Sequence, residues 1–382
     1  MKLGINAAFS GLGPGNANLF TREVGRLLCL MEQSTTVFAP YPLWKAGDYR
    51  LVNTPLDISG PRNLLNNLNR LMFNNTVLPY LLKEYEIDVL FCPNTEFPVV
   101  TTTPIVVTVS DLNPLYAQTD GLIGQYFRGY LEKLPQEHIE VVTMSEFIRN
   151  ELIREFNLKR DNIHVTGAAV DTHFFKPVSA ESKLEFIKSK DINSPYILYF
   201  GTLFPYRNLK TLFKAFFEIC DRIPHKLVII GERDRYDEEL PEDERLIYID
   251  TVTSEEHPMW YSASDIFIEP SLSEGSGMKL LEAMASGVPV ISSNIEALYE
   301  TGKDIALFFK GDDAVTLGKL ILMVIRDNDY RNDMIAKGLE HARNCTWEKI
   351  AESIYSICEE ADKKTVEVVE CESIRGNKGQ GG

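Results

Sequence analysis

The stretch PSLSEGSGMKLLEAMASGVPV, from Pro270 to Val290, places two carboxylates, Glu274 and Glu282, on either side of a Gly-Ser-Gly turn that leads into a helical pattern. Gly275 and Gly277 let the backbone turn sharply and approach a ligand closely. The helix that follows opens with N–H groups that have no partner inside it and with the positive end of its dipole. Gly275, Ser276, Gly277 and Met278 together therefore suit a diphosphate. A carboxylate beside such a site repels phosphate, so Glu274 and Glu282 are better matched to the hydroxyls of a sugar or a ribose. Taken alone, the turn reads equally well as an ordinary glycine-containing loop with Glu274 as a solvated charge.

A second glycine-rich turn, Gly11-Leu12-Gly13-Pro14-Gly15-Asn16, follows the first strand-like run. Turns of this kind also bind dinucleotides, but no acidic residue ends the second strand, where a dinucleotide fold places its ribose ligand. Val142–Phe147 contains Ser145, placed to cap the next helix. Val109-Ser110-Asp111 ends another strand, with Asp111 placed to cap the turn before Pro114.

These turns need a frame that holds strand ends side by side. Runs such as IVVTV, YILYF and KLVII are apolar throughout, as in strands buried on both faces of a parallel sheet. Strands are expected at Lys2–Asn6, Thr35–Ala39, Asp88–Cys92, Ile105–Val109, Glu140–Met144 and Ile163–Thr166. A second series is expected at Tyr196–Gly201, Lys226–Gly231, Leu246–Asp250, Ile266–Glu269, Val288–Ser292 and Ala306–Phe309. Helical patterns lie between them, at Leu19–Glu32, Leu209–Cys220 and Lys279–Ala285, the last stopped by Gly287 and Pro289. Alternation of β and α implies an α/β fold with two doubly wound, Rossmann-like domains. Ligands in such sheets bind beyond the carboxyl ends of the strands.

At 382 residues the chain is long enough for two cores, and a linker is expected from Asp171 to Pro195. A net charge of −16 argues against a nucleic-acid partner. No apolar run reaches the roughly 18 residues that span a bilayer, and the first apolar stretch is too short for a signal peptide. Cys29, Cys92, Cys220, Cys345, Cys358 and Cys371 form no CxxC pair and read as reduced thiols. The six histidines have no metal-ligand spacing, so no metal site is expected. The expected location is the cytoplasm, with peripheral contact at the inner face of the plasma membrane as a further expectation.

The pattern around Glu274 and Glu282 is longer than a glycine turn. Glu-Gly-Ser-Gly, then Leu-Glu-Ala-Met-Ala-Ser-Gly-Val-Pro-Val, with seven residues between the glutamates, resembles the signature of retaining glycosyltransferases of family 4. Their fold is GT-B, two doubly wound Rossmann-like domains facing across a cleft. The resemblance runs from the first strand to about Cys358. FGTLFPYRNL, Phe200–Leu209, is similar to the family's strand-end motif, which puts Gly201, Thr202 and Arg207 beside the donor phosphates. The family usually has Lys where Arg207 stands. Thr251-Val252-Thr253 resembles the turn that borders the nucleotide base, and Gly13, Gly15 and Asn16 fall in the loop that approaches donor phosphate or acceptor. The family commonly has a histidine near the transferred sugar where this chain has Ser110, next to Asp111. The imidazole is thus replaced by a hydroxyl that can hydrogen-bond a sugar but cannot take a positive charge.

The resemblance implies an N-terminal acceptor-side domain over 1–175 and a C-terminal nucleotide-sugar domain over 190–345. It further implies a closing helix over 346–365 that crosses back to the first domain; 366–382 reads as an unstructured tail. The implied activity is metal-independent hexosyl transfer with retention, from a nucleotide-diphosphate sugar to a glycan or lipid-linked saccharide. GT-x-x-P-x-R-N is similar to polysaccharide and O-antigen mannosyltransferases, which makes GDP-mannose the first donor to consider. No cofactor is expected. Glu274 and Arg207 would be catalytic, with Ser110 and Asp111 on the opposite wall, and Glu282 would hold the ribose. Two other readings share the fold: a sugar-nucleotide epimerase or phosphorylase, and a nucleotide-holding subunit without transfer activity.

Overall fold

The computed structural model describes residues 1–10, 16–44, 49–59, 64–116, 121–232 and 240–377. The chain divides into two compact units, Met1–Thr166 with Trp347–Gly382, and Gly167–Thr346. No helix among the described residues is long and apolar enough to cross a membrane.

The first unit is built on β1 (Leu3–Asn6), β2 (Thr36–Ala39), β3 (Arg50–Asn53), β4 (Val89–Cys92), β5 (Ile105–Val109), β6 (Ile139–Thr143) and β7 (Ile163–Val165). They form one sheet in the order β3-β2-β1-β4-β5-β6-β7, every pairing parallel. Each residue of β1, β2, β4, β5 and β6 is buried, which is why these runs are mostly apolar on both faces, with Asn6 and Glu140 among the buried polar exceptions. β3 is absent from the strands expected from sequence. It is an edge strand with its end residues exposed, so RLVN carries no continuous apolar signal.

The closing helix, Trp347–Asn377, belongs to this unit. Trp347, Ile350, Ala351, Ile354, Ile357, Cys358 and Ala361 recur at helical spacing, and all are buried. Trp347 packs edge-on against Phe20 of the helix Asn16–Met31. Lower down, Lys364 reaches the buried carboxylate of Glu140 at 2.6 Å, which also contacts His164 at 2.9 Å. The helix runs on to Asn377, where an unstructured tail was expected from 366. VEVVECESIR contains neither Gly nor Pro, so nothing in the chain stops the helix before Gly376.

The second unit carries β8 (Tyr196–Phe200), β9 (Lys226–Ile230), β10 (Leu246–Ile249), β11 (Ile266–Glu269), β12 (Val290–Ser293) and β13 (Leu307–Phe309). The order is β10-β9-β8-β11-β12-β13, again parallel throughout. The unit begins at Gly167, and the segment expected to be a linker is part of its body. Phe175 and Ile192 are in its core, and the Ser, Lys and Glu run is the wet side of a helix, Ala180–Ser189. Ser179 caps that helix by accepting from the Ser182 N–H at 3.1 Å. Polar composition had concealed a helix anchored by few apolar residues.

In each sheet the order reverses once, between β1 and β4 in the first and between β8 and β11 in the second. Neighbouring strands there send their chains to opposite faces, which opens a crevice at their carboxyl ends.

Candidate functional site

The loops after β8 and β11 meet at the reversal point of the second sheet. Gly201 and Thr202 leave β8, and the chain then makes a short turn, Pro205–Arg207, before the helix Leu209–Ile219. Asn208 joins them in the left-handed conformation, φ +58°, which Asn tolerates better than most residues. Its Nδ2 donates to the Pro270 carbonyl at 3.0 Å, and the Leu272 N–H donates to the Tyr206 carbonyl at 2.8 Å. These bonds stitch the two loops together and fix where Arg207 points.

Arg207 is buried and forms an ion pair with Glu274. Its Nη1 also donates to Ser271 Oγ at 3.2 Å, and its Nε lies 3.4 Å from Thr202 Oγ1. Arg207 also lies over the Tyr206 ring, which stacks on Phe204. Burial alone would raise the Glu274 carboxyl, but Arg207 and Lys279 hold it below the usual carboxylate range. Burial likewise disfavours the guanidinium charge, and Glu274 and Glu269 more than offset this, so Arg207 stays charged.

Ser276, Gly277 and Met278 form the entry to the helix Met278–Ala285. Gly277 sits at φ +66°, and a Cβ there would lie 2.9 Å from Thr301 Cβ, so only glycine fits without displacement. Thr301 Oγ1 donates to the Ser276 carbonyl at 2.8 Å and fixes the turn from outside. Gly277 caps the helix without a side-chain hydrogen bond, which leaves first-turn N–H groups for a ligand. The Met278 side chain is in the core, so its contribution to the site is its backbone.

Glu282 lies one turn further along this helix, partly buried, and accepts from the Tyr261 hydroxyl at 2.8 Å. Burial lifts its carboxyl to about 7, against the opposing Tyr261 hydrogen bond and the Lys279 charge. Glu274 and Glu282 are thus pushed in opposite directions by their surroundings, as groups with separate tasks often are. Val252 follows β10, two strands from β8, and packs partly buried against the core that holds Tyr261.

Three residues of this cluster carry no expectation from sequence: Glu269, Ser271 and Lys279. Glu269 is fully buried at the end of β11 and accepts hydrogen bonds from the Ser271 hydroxyl and backbone. Lys279 Nζ lies 3.7 Å from Glu269 Oε2. A lysine at the second position of a helix, where the dipole disfavours a cation, was the available signal.

In the first unit, Asp111 Oδ1 accepts from the Asn113 N–H at 2.9 Å and opens the helix Asn113–Tyr116. Ser110 precedes it, partly exposed at the end of β5. Ser145 caps the helix Glu146–Phe156, accepting from the Ile148 N–H at 3.3 Å. Gly13 and Gly15 lie outside the described residues; Asn16 begins the helix Asn16–Met31. At the reversal point of this sheet lies a buried polar network that sequence reasoning missed. Asn6 donates to Asn74, Arg70 pairs with Glu96 at 3.1 Å, and the Tyr126 hydroxyl donates to Glu96 at 2.8 Å. Asn74 belongs to a π-helical turn, Phe73–Val77, a departure from α geometry that sequence periodicity does not signal.

The second unit thus brings Gly201, Thr202, Arg207, Glu274, Ser276, Gly277 and Met278 to one sheet edge. A buried cation, a low-pKa carboxylate and free helix N–H groups there can hold an anion and accept from hydroxyls at once. Among the described residues no group of His, Cys, Asp and Glu is arranged to hold a metal ion.

Residues 180–341 match the family described as Glycosyl transferases group 1. The chain is 31% identical over 232 residues to O-antigen chain mannosyltransferase B of Escherichia coli, covering 57% of this chain and 61% of that protein. It therefore spans about three-fifths of the length of that relative. Among solved structures, sucrose-phosphate synthase from Thermosynechococcus elongatus superposes with a TM-score of 0.76 at 17% identity, over 94% of this chain and 98% of that one. Anabaena HepE in complex with UDP-glucose superposes with a TM-score of 0.72 at 15% identity, over 94% and 100%. The fold is thus α/β of the GT-B class, with two Rossmann-like domains.

Proposed function

We propose that this chain, whose residues 180–341 match the family described as Glycosyl transferases group 1, moves a hexose from a nucleotide-diphosphate sugar to a hydroxyl of a glycan or lipid-linked saccharide. The observation that carries the reading is the pairing of Arg207 with Glu274 beside the open start of the helix Met278–Ala285. A leaving diphosphate gathers negative charge as the glycosidic bond to it breaks. Arg207 and the N–H groups of Gly277 and Met278 stabilise that charge, an electrostatic role that needs no metal. Glu274 accepts from hydroxyls of the transferred sugar and Glu282 from the ribose, while Val252 borders the base. In the first unit, Ser110 offers a hydroxyl to the sugar with Asp111 beside it, and Gly13, Gly15 and Asn16 approach the donor phosphate or the acceptor. Attack by the acceptor hydroxyl on the face that the diphosphate leaves gives net retention. GDP-mannose is the first donor to test, because O-antigen chain mannosyltransferase B is the relative that shares most identity with this chain among those named above.

Thermal shift against GDP-mannose, UDP-glucose and UDP-galactose tests the donor. A donor at a hundred times its Kd should stabilise the second unit by about 2.7 kcal/mol. Turnover should then require added saccharide acceptor and survive EDTA. Conversion of the donor to an isomeric nucleotide sugar without acceptor would make the chain an epimerase, and loss of turnover with EDTA would overturn metal independence. Glu274→Ala and Arg207→Ala should each cost about 2–4 kcal/mol of transition-state stabilisation, read as kcat/KM. Normal transfer by both variants would remove these roles.

A further inference from the structure

Lys279 is an anomaly within the site just described. It occupies the second position of the helix Met278–Ala285, where the positive end of the helix dipole opposes a cation. Its Nζ is buried and has no hydrogen-bond partner, and Glu269 Oε2, also buried, has none either. They stand 3.7 Å apart, whereas a committed ammonium–carboxylate bond closes to about 2.7–2.9 Å. A lysine kept only to neutralise Glu269 would close that gap, because an uncompensated buried charge is costly.

The space around Nζ has been left open on another side. A Cβ on Gly201 would lie 2.5 Å from Nζ and 3.2 Å from the Tyr199 hydroxyl. Glycine at the end of β8 is thus what admits the ammonium to the strand-end loop that also carries Thr202 and Arg207. Arg207 is itself committed to Glu274 and Ser271. Its charge is shared with Glu274 even when a diphosphate competes for it, and the helix N-terminus supplies only about half a charge. A diphosphate brings more negative charge than these two can meet. Among the described residues, Lys279 is the cation beside them whose donors are unused.

We propose that Lys279 is the second cation of the donor site, donating through Nζ to a diphosphate oxygen of the nucleotide sugar in the space that Gly201 keeps open. The inference rests on the reading of this site as a donor site. Lys279 then binds the ground state and stabilises the leaving diphosphate alongside Arg207, while Glu269 holds Nζ near its working position from behind.

Isothermal titration of the full-length chain with GDP and UDP, and with guanosine and uridine, tests it. Lys279→Met should weaken the diphosphate that the wild type binds by at least tenfold and leave the matching nucleoside within twofold. Glu269→Gln/Lys279→Met removes both charges of the pair and keeps the fold accessible should the single variant fail to fold. Its diphosphate affinity should stay weak. Wild-type affinity in Lys279→Met, or its recovery in the double variant, would overturn the inference and leave Lys279 as a counter-ion of Glu269. Failure of the wild type to bind either diphosphate would instead overturn the donor-site reading, and the inference with it.

Discussion

Glu282→Gln is expected to stabilise the second unit at pH 8.5 by on the order of 3 kcal/mol and to leave it unchanged near pH 4. The Glu282 carboxyl is lifted to about 7 in the folded chain, with burial as the main cause, whereas an unfolded glutamate titrates near about 4.3. The folded state therefore binds this proton more tightly. Stability falls as pH rises through the window between those two values and is level above it. Gln cannot ionise, yet its amide oxygen can still accept the Tyr261 hydroxyl that Glu282 Oε2 accepts at 2.8 Å. Hydrogen exchange of amides in β8 and β11 reads this unit separately from the other. The expected gain is about a hundredfold in protection at pH 8.5, with no gain at pH 4. Equal protection at pH 8.5, or the same change at both pH values, would refute the reasoning. The nucleotide should respond in the opposite sense, because Gln is a poorer acceptor for ribose hydroxyls than a carboxylate.

Arg207→Met and Glu274→Gln should each lower the stability of the second unit by about 3–5 kcal/mol, because each leaves its buried partner unpaired, while the double variant should recover most of the loss in urea unfolding. Gly277→Ala should cost about 1–3 kcal/mol, since it forces a side chain into φ +66° against Thr301, and it should weaken diphosphate binding in titration calorimetry as the turn shifts. Ser145→Ala should cost about 1 kcal/mol through the lost cap of Glu146–Phe156, seen as faster exchange in that helix with donor binding unchanged.

What was legible in the sequence follows from how each feature is encoded. Strands buried on both faces are written as continuous apolar runs, so β5, β8 and β9 could be found without a structure. β3 could not, because an edge strand owes its place to backbone pairing with β2 more than to burial. The helix Ala180–Ser189 was hidden for a related reason: most of its surface is wet, and few apolar residues, such as Phe186 and Ile187, anchor it. Glycine turns were legible because they are positions where other residues do not fit, and Gly277 beside Thr301 is such a place. Residue spacing alone does not bring Arg207 to Glu274, since they are 67 residues apart and meet because β8 and β11 are neighbours; the family resemblance is what placed both at the donor. Glu269 and Lys279 were missed because sequence gives charge but not burial.

The pairing of Arg207 with Glu274 has a chemical consequence that residue types alone do not suggest. Under the proposed function, a diphosphate and a carboxylate compete for the same guanidinium. A diphosphate that takes Arg207 loosens Glu274, and the loosened carboxylate turns to the nearest donors, the hydroxyls of the sugar attached to that diphosphate. A nucleoside diphosphate without its sugar loosens Glu274 but offers it no hydroxyl, so it binds with a buried carboxylate left partly unpaired. Selection for an intact sugar donor then comes from the same ion pair that serves the leaving group. Glu274→Gln, which has no charge to lose, should narrow the gap in affinity between a nucleotide sugar and its free diphosphate.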